Sequence, residues 1–74
     1  MSAQIKPLGT LKSYISGKTE IVVTAGQTVR EAMQTLGIPP EIVALVMVNG
    51  TQQSKDYRLQ DGDVVELLAV IGGG

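Results

Sequence analysis

The spacing of apolar and polar residues divides the chain into short strands and one clear helix. Strands are predicted at residues 4–8, 20–24, 46–48, 51–53 and 64–70. Most of these segments are rich in β-branched and other apolar residues and are bounded by turn residues, as strands in small sheets are. The first two are expected to pair as a hairpin. Pro7 has no N–H to donate, so the first strand is expected at a sheet edge or in an irregular position.

One helix is predicted after Thr28. Thr28 and Glu31 have the spacing of a capping box, in which each side chain bonds the backbone N–H of the other residue. Gly37 fits a left-handed C-terminal cap, and the two prolines that follow at 39–40 cannot continue a helix. Apolar residues recur at the i, i+3, i+4, i+7 spacing of an amphipathic helix, namely at Val29, Ala32, Met33 and Leu36. This stripe is expected to pack on the sheet.

Turn signals connect the strands. Asn49-Gly50 is the strongest short-range hairpin signal, and Asp61-Gly62-Asp63 turns the chain into the last strand. Leu11, Tyr14 and Ile15 predict a packed loop or a single helical turn, 41–45 one further turn, and 54–60 a polar loop. The resulting order of strand, strand, helix, strand, short strand and strand is the β-grasp order. We therefore expect an α+β fold with a mixed sheet of four to five strands, covered on one face by one main helix.

Composition restricts the chemistry that the chain can perform by itself. It has 74 residues, enough for one domain with one core. It contains no Cys and no His, and therefore has no thiolate nucleophile, no imidazole base and neither of the usual zinc ligands. We expect no catalytic residues of its own, no bound metal and no bound cofactor. Any reaction it joins is expected to take place on a partner.

Charge and hydropathy restrict the partners. The formal net charge is −1, with acidic and basic residues scattered along the chain, so no basic patch points to nucleic acid. The longest apolar run, 42–48, is far shorter than the roughly 18 residues of a membrane span. No apolar signal region is visible in residues 1–9. These features predict a cytoplasmic protein without membrane or nucleic-acid partners, expected to be a monomer when free.

Three motifs, taken in their order along the chain, resemble the MoaD/ThiS family, which includes the molybdopterin-synthase small subunit and the thiamin sulfur carrier. They are Val48-Asn49-Gly50, Leu59-Gln60-Asp61-Gly62-Asp63 and the terminal Gly72-Gly73-Gly74. Each motif alone is a common turn, but their order and spacing span nearly the whole chain. The resemblance implies a β-grasp domain over residues 1–70 and an extended tail over 71–74.

The resemblance also implies a mechanism for the tail. An adenylating, E1-like enzyme would use ATP to activate the carboxylate of Gly74, sulfur would be delivered to give a thiocarboxylate, and a synthase subunit would consume it. Gly73 and Gly72 would provide a slender approach, since glycine lacks a Cβ and fits a narrow channel. Val70 and Ile71 would anchor the tail on the partner. The function expected is therefore that of a sulfur carrier in molybdopterin or thiamin biosynthesis, a co-substrate and not an enzyme.

Strand alternation predicts a docking surface beside the tail. If the apolar residues at 46, 48, 65 and 67 face the helix, then Met47 and Leu68 face outward on neighbouring strands. An exposed apolar pair is a candidate partner-docking surface, although single surface hydrophobes are ordinary.

Two other functions share these features. The activated carboxylate of Gly74 could form isopeptide bonds as a ubiquitin-like modifier, or the domain could bind partners non-covalently without using the tail. The pathway also stays open, because the ending 70–74 looks more like the thiamin branch and the segment 8–11 more like the molybdopterin branch. Three other motifs are given structural interpretations. Gly17-Lys18-Thr19 lacks the leading glycine of a phosphate-binding loop, and Asp61 and Asp63 are expected to be turn residues. Asn49-Gly50-Thr51 is expected to be a hairpin turn and not a glycosylation site.

Overall fold

The computed structural model of the chain describes residues 1–69, in which five strands form one mixed sheet. The strands are β1 (Ser2–Pro7), β2 (Ile21–Thr24), β3 (Val43–Val48), β4 (Thr51–Gln53) and β5 (Val64–Ala69). Their order across the sheet is β2-β1-β5-β3-β4. β1 and β5 are parallel, and the other neighbouring pairs are antiparallel. The predicted β-grasp sheet is therefore confirmed, with β5 as its middle strand.

One α-helix, α1 (Val29–Leu36), connects β2 to β3. Short 3₁₀ helices at Gly9–Ile15 and Pro40–Ile42 complete the connections. The first of these confirms the helical turn predicted from the spacing of Leu11, Tyr14 and Ile15. Leu11 and Ile15 are buried, whereas Tyr14 is 43% exposed. Among residues 1–69 no helix has the length and apolar character that crossing a membrane requires.

The start of α1 confirms the predicted capping box. The Glu31 N–H donates to Thr28 Oγ1 at 3.1 Å, and the Thr28 N–H donates to Glu31 Oε1 at 2.8 Å. The helix ends at Gly37, whose φ of 77° is the left-handed conformation that glycine adopts without a Cβ clash.

The loop that follows β4 closes the remainder of the helix N-terminus. The N–H of Val29 donates to the carbonyl of Tyr57 at 2.9 Å, and that of Arg30 to the carbonyl of Lys55 at 2.8 Å. The Arg30 side chain also pairs with Asp56 at 3.0 Å. This pair is exposed on both sides, so its own contribution to stability is small. The main role of the loop is to satisfy backbone donors that the helix leaves unpaired.

The core lies between α1 and one face of the sheet. Three residues of the predicted stripe, Val29, Ala32 and Met33, are fully buried, and Leu36 packs against their cluster. Every strand except β4 contributes to the core or packs against it, with these members: Ala3, Ile5, Ile21, Val23, Val43, Val46, Val48, Val65, Leu67 and Ala69. Because a single helix covers a single face, the opposite face of the sheet stays open.

The expectation that Pro7 places β1 at an edge is wrong. β1 lies inside the sheet, between β2 and β5. The N–H groups of Gln4 and Leu8 donate at 2.9 Å to carbonyls of the segment 63–67, so the missing N–H of Pro7 lies on the β2 side. Pairing with β2 ends at Ile5, opposite Ile21, and Pro7 therefore interrupts no ladder bond.

The turn predicted at 41–45 is present, but it is shorter than the sequence indicated. The turn is a 3₁₀ helix at Pro40–Ile42, and β3 begins at Val43, which is 1% exposed and pairs with Ala69. The register shifts between Val43 and Leu45. Burial of Val43 and the length of β5 extend β3 beyond the segment that local sequence assigned to it.

Replacement of Thr28 by alanine is expected to lower the free energy of unfolding by about 1 kcal/mol, because the N–H of Glu31 loses its acceptor. Equilibrium urea unfolding followed by circular dichroism measures this change. Thr28→Ser keeps the hydroxyl and is expected to stay close to the original protein. Equal losses in the two variants would show that the methyl group of Thr28, and not its cap, supplies the stability.

Candidate functional site at the open face of the sheet

The open face carries the two side chains predicted to dock a partner. On β3 and β5, the inward-facing Val46, Val48, Val65 and Leu67 are at most 4% exposed and belong to the core. Alternation places Met47 and Leu68 on the opposite face, where both are half-buried by their neighbours. The structure therefore brings Met47 and Leu68 to one surface, on neighbouring strands.

The strand register shows that this surface is larger than the predicted pair. Leu68 lies directly opposite Leu45, which is 37% exposed, and Met47 lies opposite Glu66. Continuing the parallel register of β1 and β5 by one residue places the half-buried Leu8 beside Leu68. We call Leu8, Leu45, Met47 and Leu68 the open-face patch. It extends across β3, β5 and the residue after β1, toward the end of β5 from which the chain continues to its C-terminus.

Sequence reasoning missed Leu45 because it assigned this residue to a turn. Leu45 and Met47 are two positions apart, so a strand prediction that began at Val43 would have placed both on the same face. The usable signal was the unbroken apolar run 42–48.

Polar side chains on β1, β5 and β4 lie in the same row across the sheet as Met47 of the open-face patch. Lys6 lies opposite Glu66, Glu66 opposite Met47, and Met47 opposite Gln52. The patch thus has a cationic neighbour, Lys6, and an anionic neighbour, Glu66, on the open face. This arrangement, an apolar surface with a polar border, is typical of protein interaction surfaces.

The predicted tail residues Val70, Ile71, Gly72, Gly73 and Gly74 lie outside the described residues. The structure describes the base from which they extend. Leu67 is fully buried, its carbonyl accepts the N–H of Leu8 at 2.9 Å, and Ala69 pairs with Val43. The strand that leads to the tail is therefore paired with β1 as far as Leu67 and with β3 as far as Ala69, its last described residue.

Asp63 lies in a polar cluster at the other end of β5, just before Val64. Asp63 is 6% exposed, and its carboxylate accepts three hydrogen bonds: from Asn49 Nδ2 at 2.8 Å, from the Tyr57 hydroxyl at 2.9 Å and from the Gln60 N–H at 2.8 Å. Asn49 Oδ1 accepts the N–H of Val64 at 2.9 Å. We call Asn49, Tyr57, Gln60 and Asp63 the Asp63 cluster. It joins both turns of this end of the sheet to the start of β5.

These contacts support a structural role for the two aspartates of the turn. Asp61 is exposed and accepts the N–H of Ser2 at 2.9 Å, while Asp63 is occupied within its cluster. Within residues 1–69 no group of three His, Cys, Asp or Glu residues is placed to hold a metal ion. Gly17-Lys18-Thr19 leads into β2 and not into a helix, as the sequence predicted.

Comparison with known families covers the sheet, the open-face patch and the tail together. The model of the ThiS family matches residues 6–74. The chain belongs to the ThiS family. The match begins in β1 and includes both the Asp63 cluster and the terminal glycines, so the resemblance seen in the three motifs is confirmed at the level of the family.

Solved structures share the fold of this ThiS-family chain at low sequence identity. Small archaeal modifier protein 1 from Haloferax volcanii is 19% identical over 95% of this chain and 98% of that one, with a TM-score of 0.69. Urm1 from Trypanosoma brucei is 20% identical over 99% and 95%, with a TM-score of 0.72. A chain from the complex of subunits 1 and 2 of the molybdopterin-converting factor of Helicobacter pylori is 21% identical over 100% of both, with a TM-score of 0.63. At these identities the likeness shows the ubiquitin-like β-grasp fold.

Opposing effects set the ionisation of the Asp63 cluster. Burial by itself raises the pKa of Asp63, but hydrogen bonds from the Gln60 N–H, the Tyr57 hydroxyl and Asn49 outweigh it and leave this pKa below its ordinary value of 3.8. The hydrogen bond to Asp63, followed by burial and the carboxylate charge, raises the pKa of Tyr57 above 10.0. Asp63 is therefore ionised at neutral pH and has no proton to donate.

The lowered pKa of Asp63 predicts a pH-dependent stability. Because the folded-state pKa lies below the unfolded one, this carboxylate stabilises the fold above pH 3.8, and the contribution is lost as pH falls through the folded value. Asp63→Asn is expected to lower the free energy of unfolding at pH 7 by about 1–3 kcal/mol, since the amide cannot accept all three bonds. It is also expected to flatten the acid limb, which is the fall in the free energy of unfolding as the pH decreases below neutral. Urea unfolding as a function of pH measures both effects.

Asp61→Asn is the matched control, because it makes the same charge change two positions away on an exposed side chain. It is expected to retain the acid limb of the original protein. If Asp61→Asn flattened the acid limb as much as Asp63→Asn, the Asp63 cluster would not be its source.

Proposed function

We propose that this chain is a sulfur carrier whose reactive group is the C-terminal carboxylate of Gly74. The observation that carries the proposal is the extent of the ThiS-family match, which continues through the terminal glycines. The carboxylate of Gly74 attacks the α-phosphate of ATP on a partner enzyme, pyrophosphate leaves, and an acyl adenylate forms. A sulfur nucleophile then displaces AMP, which leaves a thiocarboxylate for transfer to a cofactor precursor.

The chain's own residues support a carrier role in which partners supply the catalysis. The chain has no Cys and no His, and the buried carboxylate of Asp63 is ionised and fully engaged in hydrogen bonds. We therefore assign ATP binding to an adenylating partner and sulfur acceptance to a synthase subunit. The molybdopterin-converting factor complex, in which a chain of the same fold is paired with a second subunit, supports the second assignment. We place these reactions in the cytoplasm.

We assign the docking of each partner to the open-face patch. Leu45 is 37% exposed, and complete burial of an exposed leucine side chain is worth about 1.5–3 kcal/mol, so covering the exposed part of Leu45 is worth roughly a third of that. The patch lies at the end of β5 that leads to the tail. The five residues from Val70 to Gly74 reach at most about 18 Å beyond Ala69 when fully extended. A partner enzyme that covers the patch would therefore need its active site within about 18 Å of Ala69.

A ubiquitin-like modifier is the second candidate function. The fold shared with small archaeal modifier protein 1 and with Urm1 is the observation that favours this second candidate. Both functions begin with the same acyl adenylate and diverge when the carbonyl is transferred, to sulfur in one and to a lysine amine in the other. A non-covalent binding module, the third reading, would make no use of Gly74.

Deletion of Gly73 and Gly74 is expected to abolish the exchange of the terminal oxygen for sulfur, because the activated carboxylate is lost. Intact-mass spectrometry of protein purified from cells without a C-terminal tag measures the exchange. A variant with one uncleavable residue after Gly74 keeps every native residue and is expected to fail in the same way. Sulfur-free protein joined to lysines of other proteins would instead favour the modifier, and full biological activity of the deletion variant would refute both.

Charged substitutions in the open-face patch are expected to weaken adenylation. Met47→Glu combined with Leu68→Glu should raise the KM for the carrier about tenfold, which corresponds to a loss of about 1.4 kcal/mol of docking free energy. Pyrophosphate release by the purified adenylating enzyme measures the rate. Val22→Glu is the matched control, since Val22 is a 62% exposed apolar residue at the far edge of the sheet. Unchanged kinetics in a folded double variant would remove the patch from the docking surface.

A further inference from the structure

The tip of the β3–β4 hairpin combines a reactive sequence with an unusual side-chain anchor. Asn49 and Gly50 have φ angles of 51° and 84°, the pair of positive values that a two-residue hairpin turn requires. Both residues are exposed to solvent. Gly50 has no Cβ to shield its backbone nitrogen, and this nitrogen is covalently close to the side-chain amide of Asn49. An asparagine followed by glycine therefore has the least hindered route to intramolecular attack.

We propose that Asn49-Gly50 is a deamidation site whose rate is set by the contacts between the Asn49 side chain and the start of β5. In this reaction the Gly50 nitrogen bonds to Cγ of Asn49, the bond from Cγ to Nδ2 breaks, and ammonia leaves with the proton of the Gly50 N–H. The product is a five-membered succinimide. Water then opens the ring at one of its two carbonyl carbons and yields aspartate or isoaspartate, so that amide and water become acid and ammonia without any oxidation.

Three hydrogen bonds oppose this reaction in the folded protein. Nδ2 of Asn49 donates to Asp63 at 2.8 Å, Oδ1 accepts the N–H of Val64 at 2.9 Å, and the Asn49 N–H donates to the Val64 carbonyl at 2.9 Å. The leaving group and the carbonyl oxygen of the reacting amide are therefore both bound to the β5 side. The attack requires rotation of this amide toward Gly50, so it must await a local opening of the hairpin tip.

The products would damage the cluster that restrains them. Aspartate at position 49 replaces the Nδ2 donor by a carboxylate oxygen, within hydrogen-bond distance of the buried Asp63 carboxylate, and two like charges at that distance destabilise each other. Isoaspartate adds a backbone atom to a two-residue turn and disturbs the pairing of Val48 with Thr51. In either case the start of β5 loses the support of the Asn49 side chain, while its pairing with β1 remains.

The groups around Asp63 limit how this charge could be relieved. Tyr57 is the titratable side chain that contacts Asp63. The two nearest charged residues along the chain are engaged elsewhere, Asp61 with the Ser2 N–H and Arg58 with the Gly26 carbonyl. While the side chain at position 49 stays against Asp63, a proton shared by the two carboxylates would relieve the repulsion.

The rate of deamidation tests the restraint. Folded protein and protein in concentrated urea are incubated at one pH and temperature, and peptide mapping measures aspartate and isoaspartate at position 49. The folded protein is expected to react at least about tenfold more slowly, because reaction requires local opening. Asp63→Ala, which removes the acceptor of Nδ2, is expected to remove most of that protection. Tyr57→Phe is the matched control, since it removes a donor to the other carboxylate oxygen and leaves the Asn49 contact in place.

Equal rates in folded and urea-treated protein would overturn the proposal, as would equal acceleration in Asp63→Ala and Tyr57→Phe. The comparison of the folded and urea-treated original protein holds even if Asp63→Ala does not fold. The reaction is independent of the proposed sulfur chemistry, and both comparisons can be made in the variant that lacks Gly73 and Gly74.

The variant Asn49→Asp tests the damage by the product. A shared proton raises a carboxyl pKa in the folded variant, so its stability is present at low pH and is lost as pH rises through that value. Relative to the original protein, Asn49→Asp is therefore expected to lose most stability at neutral pH and to recover as pH falls toward about 4. Urea unfolding across this range measures the difference. A constant difference at all pH values would refute the repulsion between positions 49 and 63.

Discussion

The position of β5 in the middle of the sheet is the constraint on which the other features of this ThiS-family protein depend. β5 pairs with β1 on one side and with β3 on the other, and its inward-facing Val65 and Leu67 are fully buried. A strand held by two ladders and a core opens only at a cost close to that of global unfolding. The segment 70–74 therefore follows a strand that is paired on both sides along most of its length, and the open-face patch lies beside the end of this strand.

The single helix gives the two faces of the sheet different roles. α1 is eight residues long and covers one face, where the apolar side chains of the strands form the core. The opposite face keeps Leu45, Met47 and Leu68 in positions that no described element covers. The small size of the domain also explains the Asp63 cluster, in which one carboxylate joins two turns and the start of β5. A small domain with little apolar area thus uses a polar cluster where a larger protein would use additional core.

Sequence patterns predicted the local elements well because their signals are local. The capping box at Thr28, the left-handed Gly37 and the turn at Asn49 depend on neighbouring residues. The order of strands is a property of the whole chain, and for that reason the missing N–H of Pro7 could not reveal which side of β1 lacked a partner. Leu45 was missed because tertiary pairing with β5 extended a strand into a segment that looked like a turn.

The Asp63 cluster shows the same limit for side chains. The sequence identified Asp63 as a turn residue, which is correct, but nothing in its neighbours indicated that Asn49 and Tyr57 would converge on it. Contacts across the sheet depend on register, and register is fixed by the hydrophobic pattern of several strands together. The tail had a compositional signal in its glycines and needed no register to be noticed.

The closed N-terminus of α1 has a consequence for nucleotide binding. Helix N-termini attract phosphate because their N–H groups lack partners. In this protein the N–H groups of Val29 and Arg30 donate to the carbonyls of the loop after β4, and that of Glu31 donates to Thr28. The N–H groups at the start of α1 are thus bonded to acceptors of the chain itself, and this helix end has no free backbone donors left for a phosphate group.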